Sequence, residues 1–144
     1  MKKIITNTQK ETKKLGENIA RMVVEKKAPR IIALEGDLGG GKTTFTRGFA
    51  KGLGIKEKIL SPTFVLFRKF RIPNSEFIYF FHVDCYRVEH PKEIFKLGFN
   101  KILHDERHII VIEWAEKIEK FLPKKFLKIK FKILGNTKRE IVIK

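Results

Sequence analysis

The chain has 144 residues, which suits one domain with a buried core and leaves no length for an additional lid or base-reading domain. Its hydrophobic content of 42% is ordinary for a globular chain, and no apolar run approaches the roughly 20 residues of a membrane-spanning helix. The balance of 32 Lys and Arg against 16 Asp and Glu gives a net charge of +16. That charge reads either as attraction to nucleic acid or an acidic partner, or as a lysine-rich compositional bias.

In chain order, the basic start Met1-Lys2-Lys3 is followed by no long apolar run or small-residue cleavage site, so it does not read as a signal peptide. Residues 3–6 predict a short strand. Thr8-Gln9-Lys10-Glu11 has the form of a capping box, with Thr8 as N-cap and Glu11 reaching back. Leu15, Ile19, Met22 and Val23 then recur at helical spacing, which predicts a helix to about Lys26 before Pro29. Ile31-Ile32-Ala33-Leu34-Glu35 reads as a buried strand, and a helix is expected from Lys42 to about Leu53, stopped at Gly54.

Between that strand and that helix stands Gly36-Asp37-Leu38-Gly39-Gly40-Gly41-Lys42-Thr43, the form G-x-x-x-x-G-K-T of a phosphate-binding loop. The flanking strand and helix supply the context that separates a site from a chance match. Glycines let successive backbone N–H groups turn toward an anion, and the positive end of the following helix adds to the attraction. The expected nucleotide contacts are Asp37, Leu38, Gly39, Gly40, Gly41, Lys42, Thr43 and Thr44. In this class of loop the lysine holds the β- and γ-phosphates and the hydroxyl after it ligates Mg²⁺, roles that fall to Lys42 and Thr43.

Farther on, Ser61-Pro62-Thr63-Phe64 interrupts the pattern. Thr63 reads either as a switch element that senses a γ-phosphate or as a satisfied threonine in a proline turn. Residues 65–71 and 77–83 predict an antiparallel hairpin across the turn Pro73-Asn74-Ser75. A short helix is expected over Lys92 to Leu97 behind Pro91, another turn over 100–104, and a buried strand over 108–112. Ala115 to Phe121 reads as helical, and strands at about 125–134 and 138–143 flank Gly135-Asn136-Thr137. In the first of these, Lys128, Lys130 and Lys132 alternate with apolar residues, the pattern of a strand with one solvated face. The fold class is therefore α/β, a mixed sheet flanked by helices, with the strands before the loop and before Glu113 central and the hairpins extending the sheet antiparallel.

A bound Mg²⁺ needs a carboxylate at the end of a neighbouring hydrophobic strand. Ile109-Ile110-Val111-Ile112-Glu113 supplies one, although an ordinary strand-end acid has the same form. Asp84, after His82-Val83, is a candidate to position water or assist Mg²⁺; a local cap, or an ion pair with Arg87, is the plainer reading. Trp114 is either core packing or a ring facing nucleotide or partner. His82, His104 and His108 have no metal-ligand spacing, His90 reads as a solvated loop residue, and the lone Cys85 reads as a buried inert thiol in a reducing, cytoplasmic setting.

Taken in series, these strings resemble the TsaE family, also called YjeE, the bacterial ATPase of tRNA threonylcarbamoyladenosine biosynthesis. The resemblance rests on Gly36 through Phe45, Arg47-Gly48, Ser61-Pro62-Thr63-Phe64, His82-Val83-Asp84-Cys85-Tyr86-Arg87 and Ile112-Glu113-Trp114-Ala115-Glu116, and it spans the whole chain. It implies a P-loop domain over residues 1–144 that binds ATP and Mg²⁺, hydrolyses ATP slowly alone, and supports the TsaB–TsaD pair without being the transferase. It further implies that Lys42 holds phosphate, that Thr43 and Glu113 hold Mg²⁺, and that Asp84 assists. It places Thr63 in a switch-like loop, Trp114 beside the metal carboxylate, and the Thr8 region near the nucleotide. Two departures stand out: Gly40 where the family usually has Ala, and the high positive charge, which raises the chance of tRNA contact. The alternatives are a small-molecule P-loop kinase, a GTPase-like switch, and a module that binds nucleotide without turnover. Asn100-Lys101 is followed by Ile102-Leu103, so no guanine-reading Asn-Lys-x-Asp string occurs there.

Overall fold

A computed structural model describes residues 1–59 and 67–144. The Ser61-Pro62-Thr63-Phe64 string, and with it the switch reading of Thr63, lies outside the described residues. The elements are β1 (Lys2–Thr6), α1 (Gln9–Val24), β2 (Ile31–Gly36), α2 (Lys42–Gly52), β3 (Phe67–Arg71), β4 (Tyr79–Asp84), α3 (Lys92–Phe95), α4 (Phe99–His104), β5 (His108–Glu113), 3₁₀ turns at Ala115–Lys117 and Glu119–Phe121, β6 (Leu127–Ile133) and β7 (Arg139–Ile143). Seven strands form one sheet in the order β1-β7-β6-β2-β5-β4-β3. The α/β expectation holds.

Three expectations need correction. The inner strand of each hairpin joins the centre parallel: β6 pairs β2 and β4 pairs β5 in parallel, and only β3, β7 and β1 run antiparallel to their neighbours. The connections from β2 to β4 and from β5 to β6 are long enough to return the chain to the same end of the sheet, so direction is set by crossover and not by the local turn. The stretch from Ala115 to Phe121 is not one helix but two single 3₁₀ turns. Ile118 between them takes φ −128° and ψ 10°, outside the helical region, which breaks the i to i+4 ladder. Finally, residues 100–104 belong to the helix α4, seated behind Gly98 at φ 83°.

Side-chain parity sorts the sheet into two cores. Ile32, Leu34, Phe80, Ile109, Val111, Ile129, Phe131 and Ile141 face α1 and α2, where Phe45 and Phe49 are fully buried. Ile31, Ala33, Phe81, Val83, Ile110 and Ile112 face the opposite layer with Phe99, Leu103 and Ile118. Each such buried aromatic or aliphatic side chain stabilises the fold by about 1.5–3 kcal/mol. Because residues alternate faces along a strand, His82 and Asp84 fall on the Phe80 face and Glu113 on the Val111 face, all toward α2.

The seat of α2 is set by backbone contact with α1. A Cβ on Gly48 would lie 1.9 Å from the carbonyl oxygen of Lys13, and one on Gly16 would lie 2.2 Å from that of Phe45. Only hydrogen at both positions allows the two helices this close. Thr8 caps α1 as expected, its Oγ1 accepting from Glu11 N–H at 3.1 Å, while the Glu11 carboxylate accepts from Asn7 N–H at 3.3 Å. Gly48→Ala is expected to destabilise the protein by about 3 kcal/mol, the upper range for an overpacked core site. Urea unfolding measures this, and a loss below ~0.5 kcal/mol would contradict the close helix contact.

Candidate nucleotide and metal site

The loop between β2 and α2 has the backbone of an anion cradle. Gly39 and Gly41 take φ of 79° and 104°, values in the region that favours glycine, and Gly40 N–H closes a turn onto Asp37 C=O at 3.0 Å. Gly41 is the N-cap of α2, and no side chain occupies that cap. A helix start with inward N–H groups and no carboxylate cap suits an incoming anion. Asp37, Leu38 and Gly39 form the exposed crest, whereas Gly40 is buried and Thr43 and Thr44 are half-buried in the first turn of α2.

Lys42 is only 4% exposed. Its Nζ donates to the Gly36 carbonyl at 2.5 Å and to the Asp37 carbonyl at 2.8 Å, and it lies 4.3 Å from the centre of the Trp114 ring. Burial holds the ammonium pKa below the ordinary lysine value, although Glu113, Glu116, Asp84 and Asp37 pull it upward. The loop thus carries its cation folded onto its own carbonyls.

Sheet pairing supplies the carboxylates. In parallel register Leu34 stands beside Glu113, and Asp84 stands beside Glu113 on the other side. Thr43 Oγ1 donates to Glu113 Oε1 at 2.9 Å. Glu113 is 2% exposed, and its Oε2 lies 2.5 Å from His82 Nε2 inside the sheet. Asp84 accepts from Tyr86 N–H at 2.9 Å, so the local-cap reading is realised; burial raises its pKa above the usual aspartate value, with Glu113 adding to the rise. Cys85 is buried and its thiol is pushed up to about 12, as expected for an inert group.

Trp114 follows Glu113 in a left-handed conformation, φ 58°. Its ring is half-buried, tilted against Tyr86 at 5.1 Å, with the Lys42 ammonium on it. It is therefore part of the loop's surroundings as well as of packing. Thr8 is exposed at the start of α1, and α1 reaches the loop through Thr12, whose Cγ2 would lie 3.5 Å from a Cβ on Gly41.

Two residues near the loop escaped sequence reasoning. Arg139 donates through Nη2 to Gly39 C=O at 2.9 Å and through Nη1 to Gly135 C=O at 2.8 Å, tying the crest to the β6–β7 hairpin across 100 positions of chain. No local signal marks it. His82 is fully buried against Glu113, and its alternation with Phe80 and Asp84 was the available signal. Beside the loop opens a groove of about 420 Å³, lined by Glu35, Asp37, Trp114, Glu116, Lys130 and Lys132 among others.

The family described as "Threonylcarbamoyl adenosine biosynthesis protein TsaE" matches residues 6–141. The chain belongs to the TsaE family. It is 39% identical to the TsaE protein of Rickettsia typhi over 140 residues, covering 96% of this chain and 91% of that one. Against the TsaE of Treponema pallidum the identity is 30% over 139 residues, with 96% and 97% covered. The crystal structure of Bacillus subtilis YdiB superposes with a TM-score of 0.70 at 34% identity, covering 99% of this chain and 83% of that one. TsaE membership ties the chain to tRNA threonylcarbamoyladenosine biosynthesis. Among the described residues no helix is long and apolar enough to cross a membrane.

Asp84→Asn is expected to raise the melting temperature of the nucleotide-free protein at neutral pH. A raised folded-state pKa means the fold disfavours the charged carboxylate, so stability attributable to this group grows as pH falls and an amide removes the penalty at pH 7. A melting temperature lowered at pH 7 would contradict the assignment.

Proposed function

We propose that this chain is a Mg²⁺-dependent ATPase that binds ATP at the loop 36–44, hydrolyses it slowly by itself, and serves tRNA threonylcarbamoyladenosine formation with the TsaB–TsaD pair. The observation that carries the reading is the 2.9 Å bond from Thr43 Oγ1 to Glu113 Oε1 at the foot of the glycine loop. It brings a hydroxyl from the helix start and a strand-end carboxylate to one point, beside a lysine that faces the same loop.

The donor set fits the cation. Mg²⁺ takes hard oxygen ligands, commonly one or two carboxylates completed by phosphate and water, and Thr43, Glu113 and the neighbouring Asp84 are of that kind. Among the described residues no cluster of three or more His, Cys, Asp or Glu offers an all-protein cage, in keeping with a site that phosphate completes. Bound between phosphates and these residues, Mg²⁺ would neutralise charge that develops on the transferred group.

The chain's own residues do the rest. Lys42 exchanges its two carbonyl partners for phosphate oxygens, a trade of neutral acceptors for charged ones that favours the bound form. The glycine N–H groups and the start of α2 hold the anion in line. Glu113 and Thr43 keep the metal edge of the site fixed, and Asp84 orients water at the same strand end. Thr12 in the first turn of α1 borders the cradle at Gly41, and the Thr8 region just before it is the part of α1 assigned to the nucleotide. Partner recognition by TsaB–TsaD, and any contact of the basic surface with tRNA, belongs to this proposal and rests on family membership and charge.

The test is single-turnover hydrolysis and nucleotide binding on defined variants. Lys42→Ala is expected to abolish tight ATP binding; wild-type affinity would reject the loop as the site. Glu113→Ala is expected to lower Mg²⁺-dependent hydrolysis by about 10²-fold or more while nucleotide binding is partly kept. Hydrolysis at the wild-type rate would remove Glu113 from the metal site. Turnover with and without TsaB–TsaD separates the accessory ATPase from a small-molecule kinase, which would need a phosphate acceptor instead.

A further inference from the structure

Glu113 is a buried carboxylate with each oxygen committed to a different side of the molecule. Oε1 meets Thr43, on the loop side; Oε2 meets His82, on the β4 side. The two partners differ in kind. Thr43 sits half-buried at the mouth of the cradle, whereas His82 is sealed at 0% exposure in the middle of a strand.

We propose that His82 is a positioning residue for the cation site: its Nε2–H holds Glu113 Oε2 and thereby keeps Oε1 turned to Thr43 and the phosphate loop. This rests on the Mg²⁺–ATP reading above and assigns the fixed half of the Glu113 orientation to a single side chain. The argument starts from the cost of the alternative. Position 82 is fully buried on the strand face it shares with Phe80, whose ring packs on Phe49, and there an apolar residue is the ordinary choice. With an apolar residue there, Oε2 would be buried without a donor, and the carboxylate would either rotate toward other donors or draw in water. A donor on the rigid centre of β4 removes both options. Strand register makes the contact possible, since His82 pairs with Val111, two residues before Glu113, and both side chains point to the same face.

The neighbouring carboxylate follows the same plan. Asp84 is anchored on Oδ1 by the Tyr86 N–H. Each acid at the strand ends is thus gripped by protein donors, Glu113 through both oxygens and Asp84 through Oδ1. Hydrogen bonding of a ligating carboxylate by an outer partner typically governs metal affinity by about 10- to 100-fold. His82 itself touches neither the loop nor Thr43 among the contacts described, so its effect runs through Glu113.

The experiment titrates a fluorescent ATP analogue into the protein with Mg²⁺ and, separately, with EDTA, for wild type, His82→Leu and His82→Gln. Leu removes the donor at similar size, and Gln restores an N–H at a comparable reach. His82→Leu is expected to raise the Mg²⁺ concentration for half-maximal tightening by about 10- to 100-fold, with affinity in EDTA within ~2-fold of wild type. His82→Gln is expected to recover most of the Mg²⁺ response. A folded His82→Leu with wild-type Mg²⁺ dependence overturns the positioning role, as does a Gln variant as impaired as Leu. If the wild-type chain shows no response to Mg²⁺, the nucleotide reading falls and the positioning role falls with it. Should His82→Leu fail to fold, the wild-type chain with ¹⁵N-labelled histidine decides. The His82 Nε2 signal is expected to shift when Mg²⁺ is added to the nucleotide complex, and an unmoved signal overturns the proposal.

Discussion

The contact between the Thr43 hydroxyl and the Glu113 carboxylate is the constraint on which the site depends. It joins positions separated by 70 in sequence and exists only because β2 and β5 lie side by side in parallel. Both strands then end at the same edge of the sheet, where open α/β sheets bind ligands. Parity turns Glu113 to the α2 face, and α2 itself is fixed by the glycine contacts with α1. A slip of β5 by one residue would send Glu113 to the opposite core.

Electrostatics and packing cooperate at this edge. Lys42 and Glu113 are withdrawn from water and Asp84 is half-buried, so each is costly alone and tolerable together. The lysine is satisfied by carbonyls of its own loop and by the Trp114 face, while the glutamate is satisfied by Thr43 and His82. The polar groups at this edge are therefore held in order by the protein's own partners. Such preorganisation lowers the reorganisation needed when an anion binds.

The high positive charge is not one uniform surface. On β6, Lys128 bonds to Glu35 at 3.3 Å and to Glu119 at 2.6 Å, and Lys130 lies 3.8 Å from Glu35. The stripe expected to be a solvated basic face is thus partly neutralised: Lys128 is half-buried, while the exposed Lys130 and Lys132 line the groove at the loop. At the opposite edge, Arg68, Lys69 and Arg71 stand exposed on β3. Charge there also discourages edge-to-edge strand pairing, a structural use that needs no partner.

The sequence by itself determined the glycine-rich loop between strand and helix, the cap at Thr8, the buried strand ending in Glu113 and the inert Cys85. Each rests on chemistry between residues a few positions apart: glycine freedom, a hydroxyl reaching the next turn, apolar periodicity, burial of a thiol. Tertiary structure decided the rest. Strand direction followed crossovers longer than any local signal, which is why the inner strands of both hairpins run parallel. Arg139 on the loop crest carries no motif, and His82 stands in a recognisable string that does not reveal its contact with Glu113, because both roles come from neighbours brought in across the sheet. Local chemistry is written in adjacent residues; a hydrogen bond between distant strands exists only once register and packing have placed its two ends.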